Sequence, residues 1–164
     1  IRDLIVTGVQ TCALPIFFNS GWSDYEDLCF PYTSFYHFST KAFSYYVLDT
    51  GSGSLGPEQF KILKRAMRSD PLPKIVFSHY PVYGSGLYGL SYYCLQNEAD
   101  STRLIALLAE ESVTDVYAGH VHHHQSKRLG NYMEHCLDTL FNQEWFLVSV
   151  NESSGTTSTQ TVRK

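Results

Sequence analysis

Short continuous apolar runs alternate along this chain with stretches in which apolar residues recur every three or four positions. Ala42 to Leu48, Ile75 to Phe77 and Val113 to Ala118 are runs of the first kind, and each reads as a buried strand. Between the first two, Phe60, Leu63 and Met67 form a stripe widened by Ile62 and Ala66, while Lys61, Lys64, Arg65 and Arg68 take the other side. That spacing predicts a helix opened by Pro57 and ended by Ser69-Asp70-Pro71. Leu104, Ile105, Leu107 and Leu108 predict a second helix, from Asn97 or Ser101 to Glu111, with Asn97, Asp100 and Ser101 as candidate caps. After Gln125 the pattern turns to short strands. Trp145 to Val150 is one, and Thr156 to Val162 is a Thr-rich edge strand reached through a turn at Glu152 to Gly155. Tyr132 to Leu137 offers a further, less regular one. Phe17 to Thr40 reads as an irregular approach, and Val82 to Gln96 as a long Gly/Tyr-rich loop of the kind that often carries function.

Strand, helix, strand, helix, strand, then hairpins, predicts an α/β fold with an antiparallel annex. Asp49, His79 and His120 each follow a buried strand. In open α/β sheets that edge is where ligands bind. No internal repeat or low-complexity linker divides the chain.

Composition narrows the class. The 164 residues are enough for one domain with a real core, and 43% hydrophobic against 17% charged residues is a globular balance. The net charge of -4, without a basic block, gives no nucleic-acid footprint. No apolar run is long enough for a helical membrane span. Cys12, Cys29, Cys94 and Cys136 form no C-x-x-C pair, so no zinc knuckle is expected and core or loop thiols are.

Val6 to Ile16 stands apart. V-T-G-V-Q-T-C-A-L-P-I resembles the in-frame translation of a common sequencing-library adapter. Residues 1–16 are therefore expected to be a non-native segment, excluded from fold reasoning, with natural sequence at 17–164.

The chemistry lies in the histidines. His120 and His122 are one residue apart, preceded by Gly119, which lets the backbone approach closely. Neutral imidazole is a good ligand for zinc, iron, copper or nickel. His79 adds a third imidazole at a strand end. A lone H-x-H is more often a surface feature than a site. The combination of apolar strand then His79-x-Pro81, and apolar strand then Gly119-His120-x-His122, favours metal. His123 and His124 read as flanking residues, and His37 and His135 as structural or solvent-facing ones.

V-F-S-H-Y-P-V-Y (Val76 to Tyr83) and A-G-H-V-H (Ala118 to His122) resemble the last two motifs of calcineurin-like metallophosphoesterases. Leu48-Asp49-Thr50 followed by L-G-P-E-Q-F (Leu55 to Phe60) resembles the segment such proteins carry between motifs. The resemblance runs from about Trp22 to the C-terminus. It implies the C-terminal part of a four-layer α/β/β/α sandwich, incomplete here. It implies a hydrolase cleaving phosphate mono- or diesters at two divalent or trivalent metal ions, iron, zinc or manganese. His79 and His120 would bind one ion and His122 its partner. The family's Asp-x-His, Gly-Asp-x-x-Asp and Gly-Asn-His stretches do not occur in this chain. The bridging carboxylate and catalytic His would belong upstream of Phe17. Without them the expectation is little or no phosphoesterase activity and at most one weakly held ion. The competing readings are another metal-dependent hydrolase with an H-x-H site, and a non-enzymatic histidine metal-binding module.

Overall fold

The structure, a computed structural model, describes residues 2–6, 34–83, 95, 98–138 and 143–164. In chain order its elements are β1 (Arg2–Val6), β2 (Tyr36–Ser39), β3 (Ser44–Val47), α1 (Pro57–Ser69), β4 (Lys74–Ser78), α2 (Glu98–Glu110) and β5 (Val113–Ala118). β6 (Gln125–Leu129), β7 (Tyr132–Cys136), β8 (Glu144–Asn151) and β9 (Thr156–Arg163) follow. They build a mixed six-stranded sheet, in the order β2-β3-β4-β5-β7-β6, and a three-stranded sheet, β1-β8-β9.

β3, β4 and β5 are parallel neighbours joined through α1 and α2. Such crossovers are right-handed in nearly all cases, so two steps in one direction put both helices on one face. There Leu63 and Met67 of α1 and Leu104, Leu107 and Leu108 of α2 pack with Tyr46, Val76, Val116 and Tyr132. The period-two alternation of a strand sends Tyr45, Ile75 and Tyr117 to the opposite face, where they meet Phe146, Val148 and Val150 of β8. Full burial of each such side chain contributes roughly 1.5–3 kcal/mol over exposure. Among the described residues the six-stranded sheet thus shares one apolar cluster with the helices and another with β8.

Helix α1 begins as its sequence demands. Gly56 sits at φ 72 and Pro57 holds the first helical position. No side chain of its own caps it. Instead Asp100 of α2 accepts from the Gly56 N–H at 3.3 Å and the Ser54 hydroxyl at 2.6 Å. Ser101 donates to the Val82 carbonyl at 2.6 Å. Asp100 and Ser101, expected as caps of α2, lie within it and stitch it to other elements. Asn97 lies outside the described residues. At the far end of α1, the buried Lys74 ammonium donates to the Asp70 and Leu72 carbonyls, both at 2.8 Å. Burial lowers its pKa, against the pull of the nearby Asp70.

The segment expected to be irregular contains β2, an edge strand antiparallel to β3. β6 is a second polar edge strand, paired with β7. Arg2–Val6 pairs antiparallel with β8, so part of the segment set aside on sequence grounds supplies a strand of the second sheet. Cys136 is a free, buried thiol; Cys12, Cys29 and Cys94 lie outside the described residues.

Candidate metal centre

Strand order dictates where the histidine loop runs. β7 pairs with β5 but is reached only after β6, at the far edge. Residues 119–124 must therefore pass over the C-terminal end of β7. Leu137 N–H binds the Ala118 carbonyl at 3.0 Å, and Gly119 N–H binds the His79 carbonyl at 3.0 Å. The ends of β4, β5 and β7 are drawn together beneath that loop.

There the His79 Nε2 and His120 Nδ1 stand 3.2 Å apart. His79 is buried and His120 half-buried. The Tyr80 ring lies on that of His120, with centroids 3.7 Å apart and planes tilted by 30°. His120 and His122 adopt φ of 64 and 50, left-handed conformations uncommon for residues with a Cβ. Each such residue costs roughly 1–2 kcal/mol and persists only where its surroundings over-determine it, a pattern concentrated at functional sites. Val121 N–H closes a tight turn on the Gly119 carbonyl at 2.7 Å. His124, just beyond, holds the buried Glu144 of β8 at 2.7 Å. Burial raises the Glu144 pKa, but hydrogen bonds from His124 and Arg163 outweigh it and hold the carboxyl below its ordinary range.

The turn after β4 is held by side chains from its neighbours. The Thr50 hydroxyl oxygen accepts from the His79 N–H at 2.9 Å and the Tyr80 N–H at 3.2 Å. The Ser78 hydroxyl donates to the Tyr80 carbonyl at 2.6 Å. Its contact with Thr50 at 2.9 Å must then run from Thr50 to Ser78. Both lone pairs and the proton of Thr50 are thus used, fully inside the protein. On the other side, the buried Glu134 carboxylate of β7 accepts from Val82 N–H at 2.7 Å and Tyr83 N–H at 3.2 Å. Asp49, expected at this edge, turns elsewhere: it accepts from the Ser34 hydroxyl at 2.8 Å and the Gly51 N–H at 3.3 Å.

Of the predicted ligands, His79 and His120 are brought together, and His122 stands exposed beside them. Two imidazole nitrogens, each about 2.0–2.1 Å from one tetrahedral ion, lie about 3.4 Å from each other. The observed 3.2 Å is close to that spacing, and it is also the length of a direct N–H···N hydrogen bond between the two rings. Among the described residues no group of three or more His, Cys, Asp or Glu is placed to hold a metal ion. Cys136 lies under the loop with Ala118 and Val121, but burial, helped by Glu134, pushes its thiol pKa far up and keeps it protonated. A thiol is a poor ligand beside a thiolate.

His123 is exposed; His37 is exposed and stacks on Tyr46, with centroids 5.1 Å apart. His135 is buried and hydrogen-bonded to Asp115. Thr50, Tyr80 and Glu134 were not singled out by sequence. For Thr50 a signal existed: it ends the Leu48-Asp49-Thr50 stretch at the ligand edge. Most of the Tyr-rich loop, residues 84–93, lies outside the described residues. A cavity of about 570 Å³ opens elsewhere, beside β2 and the end of α1, lined among others by His37, Tyr46 and Asp70, and shares no residue with the histidine pair.

No protein-family model and no curated protein matches the sequence. Among solved structures, TT1561 of Thermus thermophilus overlaps with a TM-score of 0.43 and 18% identity, covering 79% of this chain and 57% of that one. A 5′-nucleotidase candidate from Staphylococcus aureus, solved with α-ketoglutarate, overlaps with a TM-score of 0.46 and 12% identity, covering 80% of this chain and 29% of that one. The chain spans less than two thirds of the length of either.

Proposed function

We propose that this chain is a metal-ligating portion of a calcineurin-like phosphoesterase, in which His79 and His120 hold one ion and His122 faces a second. The observation that carries the reading is the His79–His120 pair, set 3.2 Å apart by residues from two strand ends, with left-handed backbone at both H-x-H positions. Such an ion would supply charge to neutralise a phosphate ester, the substrate class this reading implies. The chain's own part is narrower. Thr50 fixes the backbone of His79, Tyr80 covers the His120 ring, and Glu134 fixes the turn that follows. With two convergent imidazoles, binding should be weak and hydrolysis by this chain alone slight or nil. Residues 1–16 are proposed to be foreign, on the adapter resemblance of Val6 to Ile16 alone.

Cobalt(II) titration monitored by visible absorption tests the site. Saturable binding that Ala replacement of either His79 or His120 weakens supports it. Binding untouched by His79→Ala would instead favour a local histidine module at residues 120–124, the second reading. A phosphatase assay on the purified chain with manganese or zinc should show no turnover above background; turnover typical of an intact enzyme would overturn the expectation of slight or no hydrolysis.

A further inference from the structure

Away from the histidine loop, a hydroxyl, an imidazole and a carboxylate line up across β6, β7 and β5. Ser126 Oγ lies 2.8 Å from His135 Nδ1, and His135 Nε2 lies 3.1 Å from Asp115 Oδ1. Thr157 of β9 donates to the other oxygen of that carboxylate at 2.9 Å. Asp115 is 7% and His135 6% exposed, whereas Ser126 is exposed on β6, the last strand of the six-stranded sheet. Ser126 and His135 face each other directly across the β6–β7 pair.

The direction of each hydrogen bond follows from the carboxylate. Burial favours the neutral acid, but the bonds from His135 and Thr157 outweigh it and hold the Asp115 pKa below its ordinary value. An ionised carboxylate only accepts, so Nε2 of His135 carries a proton. In the neutral imidazole Nδ1 is then bare, and the Ser126 O–H must donate to it. Packing keeps the ring in place: Tyr117 stacks on it with centroids 4.9 Å apart, and Phe146 meets its edge at 5.7 Å. Asp115 is the charged group in direct contact with the ring, and the Tyr117 hydroxyl turns away to Thr159 at 2.6 Å. Nucleophile, base and orienting group in hydrogen-bonded sequence are the geometric mark of an activated serine, wherever they fall in the chain.

We infer that Ser126 is an activated hydroxyl, with His135 as its general base and Asp115 as the residue that positions the base, and that it accepts acyl groups from activated carboxylic esters. The Ser126 Oγ–acyl carbon bond forms, the ester bond to the leaving alcohol breaks, and the hydroxyl proton passes to His135 Nδ1 and on to that alcohol. No redox partner is needed. Because Ser126 stands on an open strand, water meets the developing oxyanion, and the product is a stable acyl-serine formed once rather than a turnover cycle. The site stands whether or not His79 and His120 hold a metal.

The test is acetylation of the full chain by p-nitrophenyl acetate, followed by p-nitrophenolate release and peptide mass mapping. The expected result is one acetyl group on Ser126. Its rate should rise with pH and then level off, the profile of a general base and not of hydroxide. Ser126→Ala, an exposed change that leaves the fold intact, should abolish that label. Asp115→Asn, which lets the imidazole turn or take the other tautomer, should slow it about a hundredfold or more, the scale of a lost general base. Should Asp115→Asn fail to fold, the pH profile of the unaltered chain carries the test of the base. No label at Ser126 overturns the inference. So does a rate that keeps climbing with hydroxide, or a label unaffected by Ser126→Ala.

Discussion

The hydroxyl of Thr50 shows how a small side chain can set the geometry of larger ones. It binds the backbone of His79 and Tyr80 and reaches Ser78, so it fixes where the His79 ring starts from. Thr50→Val keeps the shape and removes the oxygen, leaving buried N–H groups bare. The expected loss is about 1–3 kcal/mol in urea unfolding, with Thr50→Ser recovering most of it. A loss in Thr50→Ser with none in Thr50→Val would show that the methyl group, not the hydroxyl, matters. Asp115 supplies a second residue-scale prediction. Its carboxyl titrates lower in the folded state than the about 3.9 of an unfolded chain. The unfolded state therefore binds the proton first as pH falls. The stabilisation is complete above about pH 5 and is lost as pH drops through the folded value. Asp70, Asp100 and Glu144 are shifted in the same direction and add to the slope. Thermal midpoints should hold level from neutrality to about pH 5 and fall below about pH 4. Asp115→Asn should lower the plateau and flatten the fall.

Among elements, those buried on both sides were legible from sequence, and those buried on one side only in part. β4 and β5 carry apolar residues to both faces of the sheet, so their central positions are mostly apolar and the run shows itself. α1 shows through its periodicity. β8 alternates buried and half-buried residues along its length, and its hairpin turn was visible in Glu152 to Gly155. β2 reads Tyr-His-Phe-Ser and is largely exposed, and β6 reads Gln-Ser-Lys-Arg-Leu and alternates half-buried with exposed residues. Nothing local distinguishes such segments from loops; pairing with β3 and β7 makes them strands. The same division holds at the candidate site. His79 and His120 follow buried strands and could be read in order, whereas Glu134 reaches the 82–83 turn from residues far along the chain. The β8–β9 turn can be tested directly. Gly155 has φ +64, with nothing within 4 Å of where a Cβ would stand. Gly155→Ala meets no clash, yet forces an alanine into left-handed backbone. It should cost about 1–2 kcal/mol by thermal unfolding. Gly155→Asn, which tolerates that conformation better, should cost less.

At the scale of the whole molecule, the two sheets differ in how their edges meet water. An exposed edge strand is a template for pairing with another chain, and proteins blunt such edges with charge. β6 carries Lys127 and Arg128, and β9 carries Arg163. β2 carries no Asp, Glu, Lys or Arg, yet it ends the six-stranded sheet. Phe38 on that strand is 48% exposed, its ring stacked on Tyr45 with centroids 4.9 Å apart. Among the described residues it is the most exposed of the large hydrophobics, ahead of Ile62 and Tyr83. Among the described residues sheet end and apolar ring coincide, so β2 is where a second copy of this chain should associate. Light scattering should show self-association that grows with concentration and is little affected by salt, since neither contact is ionic. Phe38→Lys puts a charge on that strand and should suppress it while leaving the unfolding midpoint nearly unchanged, because the side chain is half outside already. Lys127→Phe, which removes a charge from β6, should open a second route to association. If Phe38→Lys leaves scattering unaltered while a charge placed on β1 or β9 removes it, the three-stranded sheet and not β2 is the adhesive edge.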